Sequence, residues 1–245
     1  MKVIVFTSDK YIDLLKDFSY LFNKHWGPDQ EVNVLGFKKP DFELPDNFQF
    51  ISAGNQSDFP ARSFCQPFRP ILENLDTDVF TLMLEDVFLI NKVDKDLLNK
   101  GVKLLESGKA SKIRTFLGAD YQYLSSQKFT DDFNVFRQNI NYRYTACSCI
   151  ARKDYYLKYF DRESIWQLEV ENIERSKNDG HNILVPKNNP IAPWINMLVK
   201  GKFNAKQHNQ MLESKSGRHF GWNKFQKLED EEYEIFLKYK NWNIK

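Results

Sequence analysis

The chain has 245 residues, enough for one large α/β domain or two small ones. A formal net charge of +2 is too small to indicate nucleic-acid binding by the whole molecule, and three cysteines do not indicate a secreted disulfide framework. The sequence contains no apolar run of membrane-spanning length and no signal-peptide core, so we expect a cytoplasmic protein.

Strand and helix patterns alternate along the first half of the chain. Short runs rich in β-branched and aromatic residues predict strands at residues 3–6, 31–37, 48–52, 79–84 and 112–117. Apolar residues at helical spacing predict helices over residues 11–26, 69–75 and 94–106. The run at 79–84 is apolar throughout, which is typical of a strand buried on both faces of a parallel sheet.

The second half is less regular. Residues 118–142 are polar and aromatic with little periodicity, which predicts loops over a cleft. Strand character returns at residues 144–151 and 182–185, and a terminal helix is predicted over 229–239. Ser164 followed three residues later by Gln167 predicts a capped helix start. The whole pattern predicts an α/β fold in a single domain, residues 1–245, with a mainly parallel central sheet flanked by helices and a loop-rich C-terminal part.

Glu85 and Asp86 directly follow the most buried predicted strand. Ligands of open α/β sheets bind at the carboxyl ends of the strands, and two carboxylates there are costly unless a cation compensates them. Hard divalent cations prefer carboxylate and phosphate oxygens, so a cation holding a diphosphate is one interpretation. The alternative is that one carboxylate caps the next segment and the other is solvated.

Two further groups of residues carry candidate chemistry. Thr7, Ser8 and Asp9 follow the first strand, where they could meet a nucleotide, although Asp9 could instead cap the next helix. Trp166 and Glu169 lie three residues apart on one helix face. Apolar cover from the indole would favour a general-base role for Glu169, whereas an ordinary amphipathic helix would bury the indole and expose the carboxylate.

Other enzyme classes have no support, because the sequence lacks dinucleotide, P-loop, serine-hydrolase and zinc-protease motifs. Residues 187–227 contain eight Lys or Arg and one Glu, which is typical of a solvated basic face. Interleaved basic and aromatic side chains can also hold a nucleic-acid strand. In this stretch they are Phe203, Arg218, Phe220, Trp222 and Phe225.

Six stretches stand in an order that resembles a family of bacterial and phage sugar transferases with the GT-A fold. Residues 3–11 (VIVFTSDKY) are similar to the family's first strand and nucleotide loop, and residues 75–90 to its strand ending in acidic residues. The other stretches are residues 25–28, 112–117, 150–154 together with 164–169, and 199–203. The resemblance spans roughly residues 2–205. Relatives often carry two or three Asp at the acidic site, whereas here Val87 follows Asp86.

The resemblance implies a role for each matching residue. The nucleotide pocket would be lined by Thr7, Ser8, Asp9 and Tyr11, with Arg62 near the diphosphate. Asp86, helped by Glu85, would hold Mn or Mg, and Glu169 would be the catalytic base. The acceptor side would be shaped by Trp166 and Arg152.

The resulting hypothesis is an inverting glycosyltransferase that uses a nucleotide-sugar, with a UDP-sugar as the expected donor. Residues 1–117 would bind the donor and residues 118–245 the acceptor. The acceptor would be a glycan or, as a second choice, a hydroxymethylated base in phage DNA. A non-catalytic protein that binds a nucleotide, a sugar or nucleic acid is the alternative from another class. The sugar, the linkage and the oligomeric state are left open.

Overall fold

A computed structural model describes residues 1–60, 62–115, 126–146, 148–199, 202–204 and 229–239. Its strands are β1 (Lys2–Phe6), β2 (Val32–Gly36), β3 (Phe48–Ser52), β4 (Val79–Leu84), β5 (Val87–Leu89), β6 (Lys112–Arg114), β7 (Ser126–Lys128), β8 (Phe133–Phe136), β9 (Cys149–Arg152), β10 (Ile183–Pro186), β11 (Trp194–Asn196), β12 (Leu198–Val199) and β13 (Lys202–Phe203). Its helices are α1 (Leu14–His25), α2 (Cys65–Glu73), α3 (Lys95–Glu106), α4 (Lys153–Tyr159), α5 (Ile165–Arg175) and α6 (Asp230–Lys238).

Nine of these strands form one sheet in the order β3-β2-β1-β4-β9-β6-β10-β8-β7. The first four are mutually parallel, and β6 and β10 are parallel to each other. Only β9 and β8 run against the other strands of this sheet. The predicted α/β fold with a mainly parallel central sheet is therefore confirmed.

Helices cover both faces of the sheet because side chains alternate along its strands. Val3 and Val5 of β1 belong to a core with α1, α3 and α6, whereas Ile4 and Phe6 belong to a second core with α2, α4 and α5. The β4 sequence VFTLML serves both cores, which explains its continuous apolar pattern. Among the described residues, no helix is long and apolar enough to cross a membrane.

Local sequence signals set several helix starts. Asp94 caps α3 by accepting a hydrogen bond from the Leu97 N–H at 2.9 Å. Ser164 and Gln167 form the predicted capping box at the start of α5. The last helix, α6, packs on α1 and β5, where His25 Nε2 lies 2.7 Å from the Glu232 carboxylate and Phe236 contacts Phe88.

The prediction of loops across residues 118–142 was wrong for two short segments. Strands β7 and β8 pair with each other and extend the main sheet beyond β10. All four β8 residues, FNVF, are buried. A strand of four residues is too short to show a clear alternation of apolar and polar residues. It forms by pairing with β10, where Leu184 lies opposite Val135, and such a long-range contact leaves no local sequence signal. Residues 118–125 lie outside the described part of the chain.

Candidate active site

The loops after β1 and β4 meet at one edge of the sheet, which we call the carboxyl edge. Because β1 and β4 are parallel neighbours with Phe6 opposite Leu84, residues 7–9 and 85–86 leave the sheet side by side. The Glu85 N–H donates a hydrogen bond to the Phe6 carbonyl at 3.2 Å. The structure therefore brings the predicted nucleotide loop and the predicted acidic site together.

Glu85 is buried at this edge. Burial, and secondarily the neighbouring charge of Asp86, raise the pKa of Glu85 well above its ordinary value. The nearby Ser8 backbone N–H partly offsets the rise in its pKa. Tyr11 lies close enough that burial and the Glu85 and Asp86 charges, in that order, raise the pKa of its phenol. Two carboxyl groups and a phenol thus lie close together where burial disfavours their charged forms.

Asp86 has the strongest indication of a missing partner. Its Oδ1 atom is buried and accepts no hydrogen bond from any described residue. Burial raises the pKa of Asp86 to about 6. Its main chain is fixed, because the Met197 N–H donates to the Asp86 carbonyl at 2.7 Å and β5 pairs with β11 directly afterwards. A buried carboxylate oxygen without a partner destabilises the protein unless a cation or donor binds it.

The donor set fits a hard cation completed by a ligand. Glu85 and Asp86 supply only oxygen atoms, the ligands that Mg²⁺ and Mn²⁺ prefer. Within the described ranges, no cluster of three or more metal-binding side chains exists. A cation at Asp86 would therefore need further oxygens from a bound diphosphate and from water, which is the usual arrangement for Mg²⁺ with nucleotides.

Asp9 does not cap the first helix, which was the alternative open to the sequence. α1 begins five residues later, at Leu14. Asp9 Oδ1 instead accepts a hydrogen bond from the Lys38 N–H at 2.9 Å, and the Asp9 N–H donates to Gln56 Oε1 at 3.1 Å. The loops after β1, β2 and β3 are thereby linked into one exposed, polar surface.

Gly36, at the end of β2, sets the position of Thr7. A Cβ atom at residue 36 would lie 2.7 Å from Thr7 Cγ2 and 3.0 Å from the Phe50 ring. These distances are shorter than van der Waals contact, so only glycine allows the loop after β1 to lie this close to β2.

We therefore expect Gly36→Ala to displace Thr7 and Phe50. Overpacking of this kind costs about 1–3 kcal/mol. The melting temperature should fall by several degrees, and nucleotide binding should weaken if Thr7 lines the pocket. Thr7→Ser removes the clashing methyl group, so the double variant should recover part of the loss in a thermal melt. A Gly36→Ala melting curve identical to that of the wild type would contradict the close approach.

Glu169 lies at the same carboxyl edge. β9 runs antiparallel to β4, with Cys149 opposite Leu82, so the residues before β9 and those after β4 extend past the same end of the sheet. Glu169 Oε1 accepts a hydrogen bond from the Ala146 N–H at 3.1 Å, three residues before β9 begins. Its other oxygen, Oε2, accepts no hydrogen bond within the part of the chain that the structure describes.

Trp166 does not belong to the core, as an ordinary amphipathic helix would require. Its side chain is 56% exposed, and that of Val170, one turn further along α5, is 58% exposed. These two residues form an apolar surface on the same helix as Glu169. Glu169 itself is half-buried.

The two predicted arginines lie elsewhere. Arg62 is exposed, has a left-handed backbone (φ 74°), and makes no ion pair with a described residue. Arg152 ends β9 opposite Val79, the first residue of β4, and is therefore at the other edge of the sheet. It pairs there with Asp154. The structure does not bring Arg152 together with the carboxylates or with Glu169.

Sequence reasoning missed the backbone groups that fix this site. The Lys38 and Ala146 N–H groups hold Asp9 and Glu169, and backbone donors leave no residue-type signature. Gly36 was detectable in principle, as a glycine ending a strand of buried residues. Of the basic and aromatic stretch, Phe203 ends β13, and the other four residues lie outside the described ranges.

Comparison with solved structures identifies the fold. The chain is similar to the crystal structure of S. aureus TarS 1–349, with a TM-score of 0.50 and 13% identity over 98% of this chain and 70% of that one. It is also similar to the mannosyltransferase PcManGT from Pyrobaculum calidifontis in complex with GDP-Man and Mn²⁺, with a TM-score of 0.50 and 12% identity over 98% of this chain and 68% of that one. No protein-family model matches the chain, and no curated protein matches it significantly. The chain thus has a glycosyltransferase fold of the GT-A type, as the sequence predicted.

Proposed function

We propose that this chain is a glycosyltransferase that moves a sugar from a nucleotide-sugar to an acceptor hydroxyl. The observation that carries the proposal is the carboxyl edge itself, on a glycosyltransferase fold. There Asp86 Oδ1 is buried without a hydrogen-bond partner among the described residues, and Glu169 is half-buried. Residues 1–117 are assigned to the donor and residues 118–245 to the acceptor. A cytoplasmic location remains a prediction from the sequence.

The donor is assigned to the loops after β1, β2 and β4. Thr7, Ser8, Asp9 and Tyr11 would line the nucleotide pocket, and the exposed Arg62 would approach the diphosphate only on binding. Asp86, with Glu85, would hold Mn²⁺ or Mg²⁺, which when bound neutralises charge on the leaving nucleoside diphosphate. The structure of PcManGT contains GDP-Man. We therefore propose to test GDP-sugars as donors in addition to the UDP-sugars expected from the sequence.

Glu169 is assigned as the general base. The Ala146 N–H holds Oε1, which leaves Oε2 to accept the proton of the acceptor hydroxyl. The deprotonated oxygen then attacks the anomeric carbon as the bond to the diphosphate breaks. One direct displacement inverts that carbon, and NMR of the product formed from a donor of known anomeric configuration tests this. Retention would contradict the assignment.

Trp166 is assigned to the acceptor, because an exposed indole beside the base offers a stacking surface for a sugar ring. Burial of the apolar C–H face of a sugar ring against the indole contributes about 1–2 kcal/mol. We expect Trp166→Ala to raise the acceptor KM about tenfold and to leave donor binding unchanged. Because the side chain is exposed, the melting temperature should not fall. Tyr20→Ala, another exposed aromatic residue, is the control, and an unchanged acceptor KM in Trp166→Ala would contradict the role.

A glycan is the proposed acceptor, and an assay of salt dependence separates it from the hydroxymethylated DNA base. Acceptor binding that weakens steeply with salt would favour DNA, since phosphate contacts release counterions. Turnover that is insensitive to salt would favour a glycan. Release of nucleoside diphosphate from a nucleotide-sugar, measured with and without acceptor, tests whether the chain is catalytic. No release under any condition would favour the non-catalytic binding protein.

A further inference from the structure

We propose that Tyr156 and Lys112 are positioning residues for Glu169, and that they act through the two peptide groups that flank Ala146. The inference rests on the proposed role of Glu169 as the base. It assigns a task to two fully buried polar side chains that, within the described part of the chain, donate no hydrogen bond to the donor loops or to Glu169 itself.

Tyr156 holds one of these peptide groups. It lies in α4, within the second core, and its hydroxyl donates a hydrogen bond to the Ala146 carbonyl at 2.8 Å. The N–H of the same residue donates to Glu169 Oε1 at 3.1 Å. Ala146 is therefore fixed on one side by a rigid aromatic side chain while its other side holds the carboxylate.

Lys112 holds the other peptide group. Its ammonium group, buried in β6, donates to the Thr145 carbonyl at 3.2 Å and to Thr145 Oγ1 at 2.6 Å. The Thr145 carbonyl and the Ala146 N–H belong to one peptide group. A positive charge on that carbonyl polarises the group and strengthens the hydrogen bond that its N–H donates to the Glu169 carboxylate.

The backbone around Ala146 needs such anchors. Tyr142 (φ 57°) and Ser148 (φ 53°) both have left-handed backbones, which are disfavoured for residues other than glycine. Such conformations persist when the surrounding structure holds them in place. The hydrogen bonds of Lys112 and Tyr156 provide that constraint between the two turns, so the carboxylate is fixed relative to the sheet rather than to a free loop.

The test compares Tyr156→Phe with Tyr155→Phe. Tyr155 is the matched control, because it precedes Tyr156 in α4, is equally buried, and its hydroxyl has no hydrogen-bond partner among the described residues. We expect Tyr156→Phe to lower kcat on the order of tenfold, since small misplacements of a catalytic group are costly. The donor-induced thermal shift should stay unchanged, and Tyr155→Phe should keep the wild-type kcat.

A double-variant cycle separates positioning from general loosening of the fold. In a Glu169→Gln background there is no base to position, so adding Tyr156→Phe should change the residual rate less than about twofold. Thr145→Val, which removes one bond to Lys112 at a half-buried site, is the second variant and should lower kcat in the same direction. It keeps the test decisive if Tyr156→Phe folds poorly.

Two results would overturn the inference: a wild-type kcat in both Tyr156→Phe and Thr145→Val, or an equal slowing of the wild type and of Glu169→Gln by Tyr156→Phe. Failure of the proposed function is recognised separately, because Glu169→Gln alone would then retain near-normal turnover.

Discussion

Glu169→Gln should lower kcat by about 10²–10⁴-fold, the usual contribution of a general base. The amide keeps the size of the side chain and can still accept the Ala146 N–H hydrogen bond through its oxygen. It cannot take a proton from an acceptor hydroxyl. Donor affinity and melting temperature should therefore remain close to those of the wild type, while turnover, measured by release of nucleoside diphosphate with acceptor present, is lost.

Glu174→Gln is the matched control for this experiment. Glu174 lies in the same helix, but its side chain is 78% exposed and pairs only with Lys177 among the described residues. We expect wild-type turnover in this variant, because an exposed ion pair contributes little. Equal, small losses in both variants would contradict the assignment of Glu169 as the base.

We expect the second largest effect from Asp86→Asn, which should lower the activity but raise the stability of the metal-free protein. Turnover and the metal-dependent part of donor binding should be lost, because a neutral amide is a poor ligand for a hard cation. The metal-free protein should become more stable at neutral pH, since the substitution removes a buried negative charge next to Glu85. The gain is on the order of 3 kcal/mol, which corresponds to a rise in melting temperature of about 6–12 °C.

The sign of the pH dependence follows from the direction of the pKa shift. Burial raises the pKa of Asp86 from 3.8 to about 6, so the folded protein binds this proton more tightly than the unfolded chain does. The stability that this bound proton provides is fully present below the pKa that Asp86 has in the unfolded chain. It is lost as pH rises through about 6, the pKa of Asp86 in the folded protein. The advantage of Asp86→Asn over the metal-free wild type should therefore be absent near pH 4 and reach its full size above about pH 6.

Thermal melts over this pH range check the prediction, with Asp131→Asn as the control. The Asp131 side chain is 91% exposed in the hairpin between β7 and β8. That control should melt within about a degree of the wild type at neutral pH. An Asp86→Asn variant that melts below the metal-free wild type at neutral pH would mean that Oδ1 has a protein partner.

The sequence predicted the parallel half of the sheet well, because β1 to β4 carry dense local signals. The boundaries of β3 and β4 were predicted to the residue, β4 as an apolar run ended by two acidic residues and β3 as a short run rich in aromatic and β-branched residues. The antiparallel strands were harder. β5 and β11 are three residues each and form by pairing with one another across the chain, a contact that no local pattern reveals.

The candidate site was predictable to the extent that side-chain chemistry defines it. Carboxylates after a buried strand predicted the acidic pair, and the helical spacing of Trp166 and Glu169, together with the resemblance, predicted the base. The supporting contacts were not predictable, because they are backbone groups and long-range packing, as in the hydrogen bond from Ala146 to Glu169. The location of Arg152 was not predictable for the same reason. Arg152 lies at the far edge of the sheet because β9 runs antiparallel to β4, and strand direction depends on long-range pairing.

The most direct test of the central claim is a thermal-shift panel of nucleoside-diphosphate sugars, with and without Mn²⁺, on the wild type and on Asp86→Ala. A ligand at about 100 times its Kd stabilises the folded state by about 2.7 kcal/mol, a shift of several degrees. We predict that one nucleotide-sugar gives such a shift with Mn²⁺ and that the shift disappears in Asp86→Ala. No shift with any nucleotide-sugar, or equal shifts in both proteins without metal, would contradict a metal-assisted donor site at the carboxyl edge.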